Sequence, residues 1–325
     1  TGMYGADEYM HSNNPIHGSE LCSAVELMFS LESILPITGD VYYADYLEKV
    51  AYNVLPTQHN DDFTRRQYFQ QTNQVKVTLE ERVFYDDRGT RTIFGTTTGY
   101  PCCLANMHQG WPKLVQNLWY ASRDGGLAAL VYGPSRVTAM VGEGKRVTIT
   151  EKTDYPFSEQ IVFEIEPDGE ISFPLHLRVP GWCSEPLLLL NDEMLNAEPE
   201  NGILVVKRTW RKGDRMVLKL PMQVRLSHWY EGSVGIERGP LVYALKMEEH
   251  WVEKTGEGID DSYWEVYPGS EWNYAIARTT RPGEFIYNAA EAPAAMPWNP
   301  ANAPVSLKVK AYRWPEWTIH RGSTE

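Results

Sequence analysis

Four side chains offer this sequence its most distinctive chemistry: Glu20, Cys22, Cys102 and Cys103. One carboxylate and three thiols form a donor set suited to zinc, which takes four ligands in tetrahedral geometry and favours cysteine sulfur. The adjacent pair Cys102–Cys103 cannot easily bridge to itself, but it can present two thiolates to one ion. The spacing by itself is a weak signal, because no C-x-x-C pair is present. Glu20 and Cys22 are two residues apart and would diverge on a regular helix. A shared metal therefore requires the irregular start of a helix, for which Ser19 is the expected N-cap. The pair after Pro101 likewise calls for an irregular backbone. Buried structural thiols are the competing reading. The segment Gly5-Ala6-Asp7-Glu8 also stands out, and Cys183 reads as a core thiol.

The elements that must position these groups are helical up to about residue 122. Leu21, Val25, Met28 or Phe29, and Leu35 form one stripe at helical spacing. Thr38-Gly39-Asp40 breaks that helix, and Asp40 is the expected N-cap of the next, which carries Ala44, Leu47, Ala51 and Val54 or Leu55. Short strands are expected at 67–69 and 74–78. A third helix is expected over about 104–121, with Met107, Trp111, Leu114 or Val115, and Leu118 in register and Pro112 in its first regular turn or at a kink. From Asp124 onward the apolar period changes to two. Segments such as 127–133, 146–153, 160–166, 171–179, 203–209, 216–227, 241–246 and 305–312 then read as strands of a β-sandwich. Residues 250–300, rich in Trp, Pro, Gly and Ala, read as an irregular excursion. The fold class is α+β, with residues 1–123 helical and 124–325 a sandwich.

The chain has 325 residues, 30 basic and 43 acidic side chains and a formal charge of −13, which argues against a nucleic-acid partner. No apolar stretch of membrane-spanning length is expected, so no membrane partner is either. Thr1 to Gly5 carry neither the basic nor the apolar run of a signal peptide. Eleven Trp and nineteen Tyr suit stacking on sugar rings, but they suit sheet cores equally well.

The segments TGMYGADE, SELC, GDVYYADYLEKVAYN, GYPCCLANMHQGWPK and LRVPGW together resemble the DUF1680 proteins, which are grouped with the β-L-arabinofuranosidases of glycoside hydrolase families 127 and 146. The likeness extends through VYGPSRVTAMVGEGKRVTITEKTDYPF and ERGPLVYAL, so it covers most of residues 1–245. It implies a catalytic (α/α)6 barrel followed by β-sandwich domains, of which residues 1–123 would form only the last part of the barrel. It implies a Zn²⁺ ion held by Glu20, Cys22, Cys102 and Cys103, with Cys102 as nucleophile and Glu8 as acid/base. Glu48 and Tyr68 match sugar-contacting positions. Otherwise Glu48 is a surface charge paired with Lys49 or Arg65, and Tyr68 is a sheet aromatic. Asn106, His108 and Trp111 are either supports of the metal ligands or part of a helical core face; His11 and His17 either line the site or lie exposed in their loop.

The implied activity is retaining hydrolysis of plant-type glycans, and the implied partner is an oligosaccharide or glycan. The alternative is a non-catalytic carbohydrate-binding or structural module with a structural zinc. Three helices leave a barrel incomplete, so a missing N-terminal segment, another chain or homo-oligomer contacts are expected to cover them. The resemblance leaves the compartment open between bacterial periplasm and cytoplasm.

Overall fold

The computed structural model describes residues 1–11, 13–256, 259 and 262–324. Among them are three α-helices and many short strands: α1 is Leu21–Thr38, α2 is Val41–Asn53 and α3 is Pro101–Gln116. Asp40 caps α2 as expected, accepting a hydrogen bond from the Tyr42 N–H at 3.0 Å. Ser19 caps nothing. It lies in the strand Gly18–Glu20 and donates its hydroxyl to the Tyr4 carbonyl at 2.9 Å, while Glu20 takes the N-cap position of α1.

Helix α3 begins at Pro101, where the missing N–H costs no hydrogen bond, so both cysteines lie in a regular first turn rather than in irregular backbone. It ends before the expected residue 121, because Trp119–Ala121 is a strand. Of the expected segment 74–78, only Val77 makes a β-bridge, to Val266.

The helices pack through the stripe of α1 (Leu21, Val25, Met28, Leu35) and through Ala44, Leu47 and Ala51 of α2. Phe29 and Val115, the alternatives in two of the expected stripes, are exposed. A Cβ on Gly110 would stand 2.7 Å from a Leu55 methyl, so the missing side chain allows α3 its close approach. At 18 residues and a mean hydropathy of 1.4, α1 is long and apolar enough to cross a membrane, which corrects the expectation that no such stretch exists. Its buried side packs against α2 and α3.

Two sheets form the sandwich. One runs, in spatial order, Ile203–Trp210, Ile171–Arg178, Leu127–Ala129, Trp119–Ala121; the other runs Glu193–Met194, Leu187–Leu190, Asp214–Lys219, Gln160–Pro167, Lys145–Thr153, Ser135–Val141. Alternate residues point inward, so Leu175, Leu177, Leu204 and Trp210 meet Ile149, Phe163, Ile165 and Leu218 in one core. Cys183 is buried there, as expected of a core thiol.

The stretch 250–300 is not wholly irregular. Glu249–Lys254 pairs with Tyr263–Pro268, which continues through Phe94–Gly95 to Arg66–Gln67 in one four-stranded sheet. Residues 257, 258, 260 and 261 of that stretch lie outside the described residues. The chain end also returns to this side: Gln71 Nε2 donates to Ser323 Oγ at 2.7 Å, and Asn73 Nδ2 to Thr324 Oγ1 at 2.6 Å.

Helix α2 is locked to the sandwich by a buried ion pair between Glu48 and Arg178, both fully buried. Glu48 also accepts from the Tyr132 N–H at 3.1 Å and from the Tyr155 hydroxyl, while Asp45 takes another guanidinium nitrogen of Arg178. This corrects both readings of Glu48. It neither reaches toward a sugar nor pairs at the surface, because a charge on a strand 130 residues away draws it inward. Lys49 pairs instead with Glu237, at 2.9 Å. Breaking such a pair strands a buried charge. Arg178→Ala is expected to cost roughly 3–5 kcal/mol, whereas Arg178→Met combined with Glu48→Met recovers most of that loss. Urea midpoints of the two variants test this.

Glu151 lies near the same network, almost fully buried, accepting from the Gly133 N–H at 3.1 Å and the Ser135 hydroxyl at 3.0 Å. Burial pushes its carboxyl up to about 8. The folded state therefore holds this proton more tightly than the unfolded chain does. The stability it contributes is fully present below about pH 4.5 and is lost as pH rises to about 8. Glu151→Gln is expected to flatten that decline and to exceed the parent in stability above pH 8, as read by thermal unfolding across pH.

Candidate active site and metal centre

The four sulfur and carboxylate donors converge. Their ligand atoms all lie within 4.8 Å of one another, although the chain separates Cys22 from Cys102 by eighty residues. Cys22 Sγ is 3.2 Å from Cys103 Sγ, too far for a disulfide, which needs about 2.05 Å. Glu20 Oε1 stands 3.6 Å from Cys102 Sγ and 3.4 Å from Cys103 Sγ. A tetrahedral zinc with Zn–S bonds of about 2.3 Å keeps its sulfurs about 3.8 Å apart, so small outward shifts fit this donor set around one ion.

Local backbone makes the convergence possible. Glu20 has extended φ and ψ and Cys22 is the second residue of α1, so the strand-to-helix change turns both side chains to one side. Cys102 and Cys103 are the second and third residues of α3. Both cysteine segments therefore sit at helix N-termini, where free N–H groups and the macrodipole favour negative charge.

Without a cation the donors compete for protons. The sulfur–sulfur hydrogen bond with Cys22, followed by burial, holds the Cys103 thiol well above the ordinary range, and burial likewise raises Cys102. Cys22 is lowered, first by its bond to Cys103 and then by Asn106. Asn106 is thus a neighbour of the thiols, whereas His108 is exposed and Trp111 packs between the helical and sandwich cores.

Tyr68, fully buried, links the remaining candidates. Its hydroxyl donates to Glu8 Oε1 at 2.5 Å and stands 4.0 Å from Cys102 Sγ. Burial, and then the Glu8 bond, holds the phenol far above its ordinary pKa, so it remains a donor. Glu8 itself is exposed, on backbone with a φ of 72°, the left-handed region that non-glycine residues rarely occupy. Of the three thiols, Cys103 is buried, Cys22 half-buried and Cys102 exposed, so an incoming molecule can reach Cys102. Gly99, at a φ of 65°, packs flat on the Tyr68 ring, where a Cβ would come within 2.3 Å. Glu48 is not part of this group.

Arg66 was not singled out by sequence reasoning. It is buried, its Nη2 donates to the Tyr100 carbonyl at 3.2 Å, and its Nε and Nη1 have no hydrogen-bond partner. Burial lowers its pKa, and Cys103, Cys102 and Cys22 work against that shift, in that order. The sequence offered no pattern that marks it: Tyr68 stands at a bend between the strands Arg66–Gln67 and Phe69–Gln71, and residues 66–69 are all buried.

The GH127 β-L-arabinofuranosidase catalytic-domain pattern matches residues 3–116, and the GH127 middle-domain pattern matches residues 126–222. Together they span about two thirds of the chain. No curated protein is similar in sequence. Among solved structures, a GH127 β-L-arabinofuranosidase from Geobacillus stearothermophilus T6 superposes with a TM-score of 0.61 at 21% identity, over 83% of this chain and 46% of that one. A protein described as a glycoside hydrolase gives 0.59 at 21% identity, over 78% of this chain and 50% of its own. A GH127 β-arabinofuranosidase gives 0.60 at 18%, over 78% and 47%. The chain thus spans about half the length of the solved structures it matches.

Titration of the metal-free protein with Co²⁺ is expected to give thiolate-to-metal charge-transfer absorption that saturates at one sulfur-bound ion per chain. The band is expected to vanish in Cys22→Ser and Cys103→Ser. Chelation lowers the thermal midpoint of the parent, because binding is coupled to folding. An absent band would show that the three sulfurs do not share an ion.

Proposed function

Because this chain belongs to the β-L-arabinofuranosidase family of glycoside hydrolases, family 127, we propose that it carries the catalytic centre of a retaining hydrolase acting on β-L-arabinofuranosides of plant-type glycans. In this reading Glu20, Cys22, Cys102 and Cys103 hold a zinc ion, Cys102 is the nucleophile and Glu8 is the acid/base. The observation that carries it is the line from exposed Cys102 through the Tyr68 hydroxyl to Glu8.

Bound zinc would keep the thiols ionised at neutral pH. Retaining glycosidases use two groups roughly 5–5.5 Å apart, one to attack and one to move protons. Cys102 and Glu8 can stand no farther apart than their two distances to Tyr68 laid end to end, which is compatible with such a pair. Cys102 Sγ attacks the anomeric carbon while Glu8 protonates the departing glycosidic oxygen. Glu8, now ionised, then takes a proton from water, whose oxygen displaces the sulfur and releases the sugar with its configuration retained. Tyr68 holds the Glu8 carboxylate toward the thiol. Its contact with a sugar hydroxyl belongs to the same proposal, as does a place for α1 to α3 as the last part of an (α/α)6 barrel. Its remaining helices would come from chain that fills the rest of the relatives' length, from another chain or from a second copy.

The test is hydrolysis of a chromogenic β-L-arabinofuranoside by the longest natural chain carrying this sequence. Cys102→Ser is expected to abolish turnover, and Glu8→Gln to lower it by about 10²–10⁴-fold. Full activity in Cys102→Ser would refute the nucleophile. No turnover of any arabinofuranoside by the parent would favour a carbohydrate-binding module with a structural metal.

A further inference from the structure

We propose that Asp7, His11 and His17 form a second divalent-metal site, distinct from the thiolate centre and built into the loop that carries Glu8. The loop is closed by backbone hydrogen bonds from the Ala6 N–H to the Gly18 carbonyl (2.8 Å), the His11 N–H to Gly5 (2.8 Å) and the Glu20 N–H to Ala6 (3.0 Å). This closure stacks the two imidazoles, with ring centroids 3.9 Å apart and planes within 5° of parallel.

One nitrogen of each ring then faces Asp7. His11 Nε2 lies 2.7 Å from Asp7 Oδ1, and His17 Nδ1 lies 3.8 Å from Asp7 Oδ2. The three ligand atoms fall within 4.8 Å of one another.

These atoms are not satisfied by one another. Asp7 is completely buried, and its Oδ1, His11 Nε2 and His17 Nδ1 are all shielded from water without a partner in hydrogen-bond geometry. A buried carboxylate facing two buried ring nitrogens needs positive charge. A metal ion accepts lone pairs from all three atoms at once.

Two imidazole nitrogens and one carboxylate oxygen suit zinc or another late first-row divalent ion, with the remaining positions left to water. All-oxygen sites, by contrast, are what calcium and magnesium select. Such an ion would clamp residue 7 next to the strained backbone of Glu8. Glu8 would then be held from two sides, by the metal through Asp7 and by Tyr68 through its carboxylate.

The test is stoichiometry and sulfur content, neither of which depends on hydrolysis. In equilibrium dialysis of metal-free protein against Co²⁺, two ions per chain are expected. The second is expected to bind after the thiolate charge-transfer band has saturated and to add no sulfur absorption. His17→Gln and His11→Gln are each expected to bind one ion with the thiolate band intact, and that band itself reports that the variant has folded. In the unaltered protein, X-ray absorption of the bound cobalt is expected to show the mean sulfur number per ion halving between one and two equivalents. Saturation at one ion per chain, or two ions retained in both histidine variants, would overturn the proposal. Absence of turnover by the parent would count against the hydrolase reading, and full activity in Cys102→Ser against the nucleophile; both leave this site untouched.

Discussion

The arrangement of the whole helical side follows from one electrostatic requirement: four groups able to carry negative charge are held together at the meeting of two helix N-termini. The termini of α1 and α3 supply partial positive charge from free N–H groups. Arg66 adds a buried guanidinium, but a single cation already bound to the Tyr100 carbonyl cannot offset an acid and three thiolates. In the absence of an ion, Cys102 and Cys103 are held above the ordinary thiol range and Cys22 below it. The donors remain close because helix packing through Gly110, Leu55 and Val25 fixes where the two termini stand. Packing builds the concentration of negative charge, and a divalent ion is the economical way to relieve it.

The β structure on this side determines what faces the thiol cluster. Arg66 lies in a short strand and Tyr68 at the bend between it and Phe69–Gln71, strands too small to persist alone. They are held because Phe94–Gly95 and Tyr263–Pro268 extend the sheet, and because the chain end adds hydrogen bonds to Gln71 and Asn73. Residues far along the chain thus support the phenol that joins Glu8 to Cys102. Cβ-less Gly99 leaves the space in which that ring lies flat.

Local rules were legible in the sequence where local forces decide. Asp40 capped α2, the apolar stripe of α1 turned inward, and period-two segments after residue 124 became paired strands. The candidate metal donors were recognisable by type and by resemblance, and an extended Glu20 before a helical Cys22 met the geometric condition that their spacing imposed. Long-range pairing was not legible. Nothing beside Glu48 announces Arg178, so a sugar contact and a surface pair looked equally reasonable, and neither is found. Ser19 had a cap's composition but found the Tyr4 carbonyl first. The strands within 249–268 pair with each other and reach Phe94 through Trp264; their aromatic and β-branched residues suit strands, but the Trp, Pro, Gly and Ala of the longer stretch 250–300 obscured them. Asp7, His11 and His17 were visible singly, but only loop closure makes them a cluster.

Two adjacent cysteines in one helical turn point about 100° apart, and this divergence separates their surroundings. Cys103 is directed into the helical core, where it touches Cys22 and Glu20 and has no path to solvent. Cys102 is directed outward, keeps one contact with Glu20, and meets the Tyr68 hydroxyl on its open side. A sulfur held only by buried partners can anchor an ion but cannot attack anything. A sulfur on the rim of the same cluster, although burial and its acidic neighbours disfavour its thiolate in the absence of a cation, still presents a free face. Pro101 at the first helical position makes the division sharp, because it starts the helix immediately before the pair and leaves neither cysteine a flexible backbone on which to exchange places.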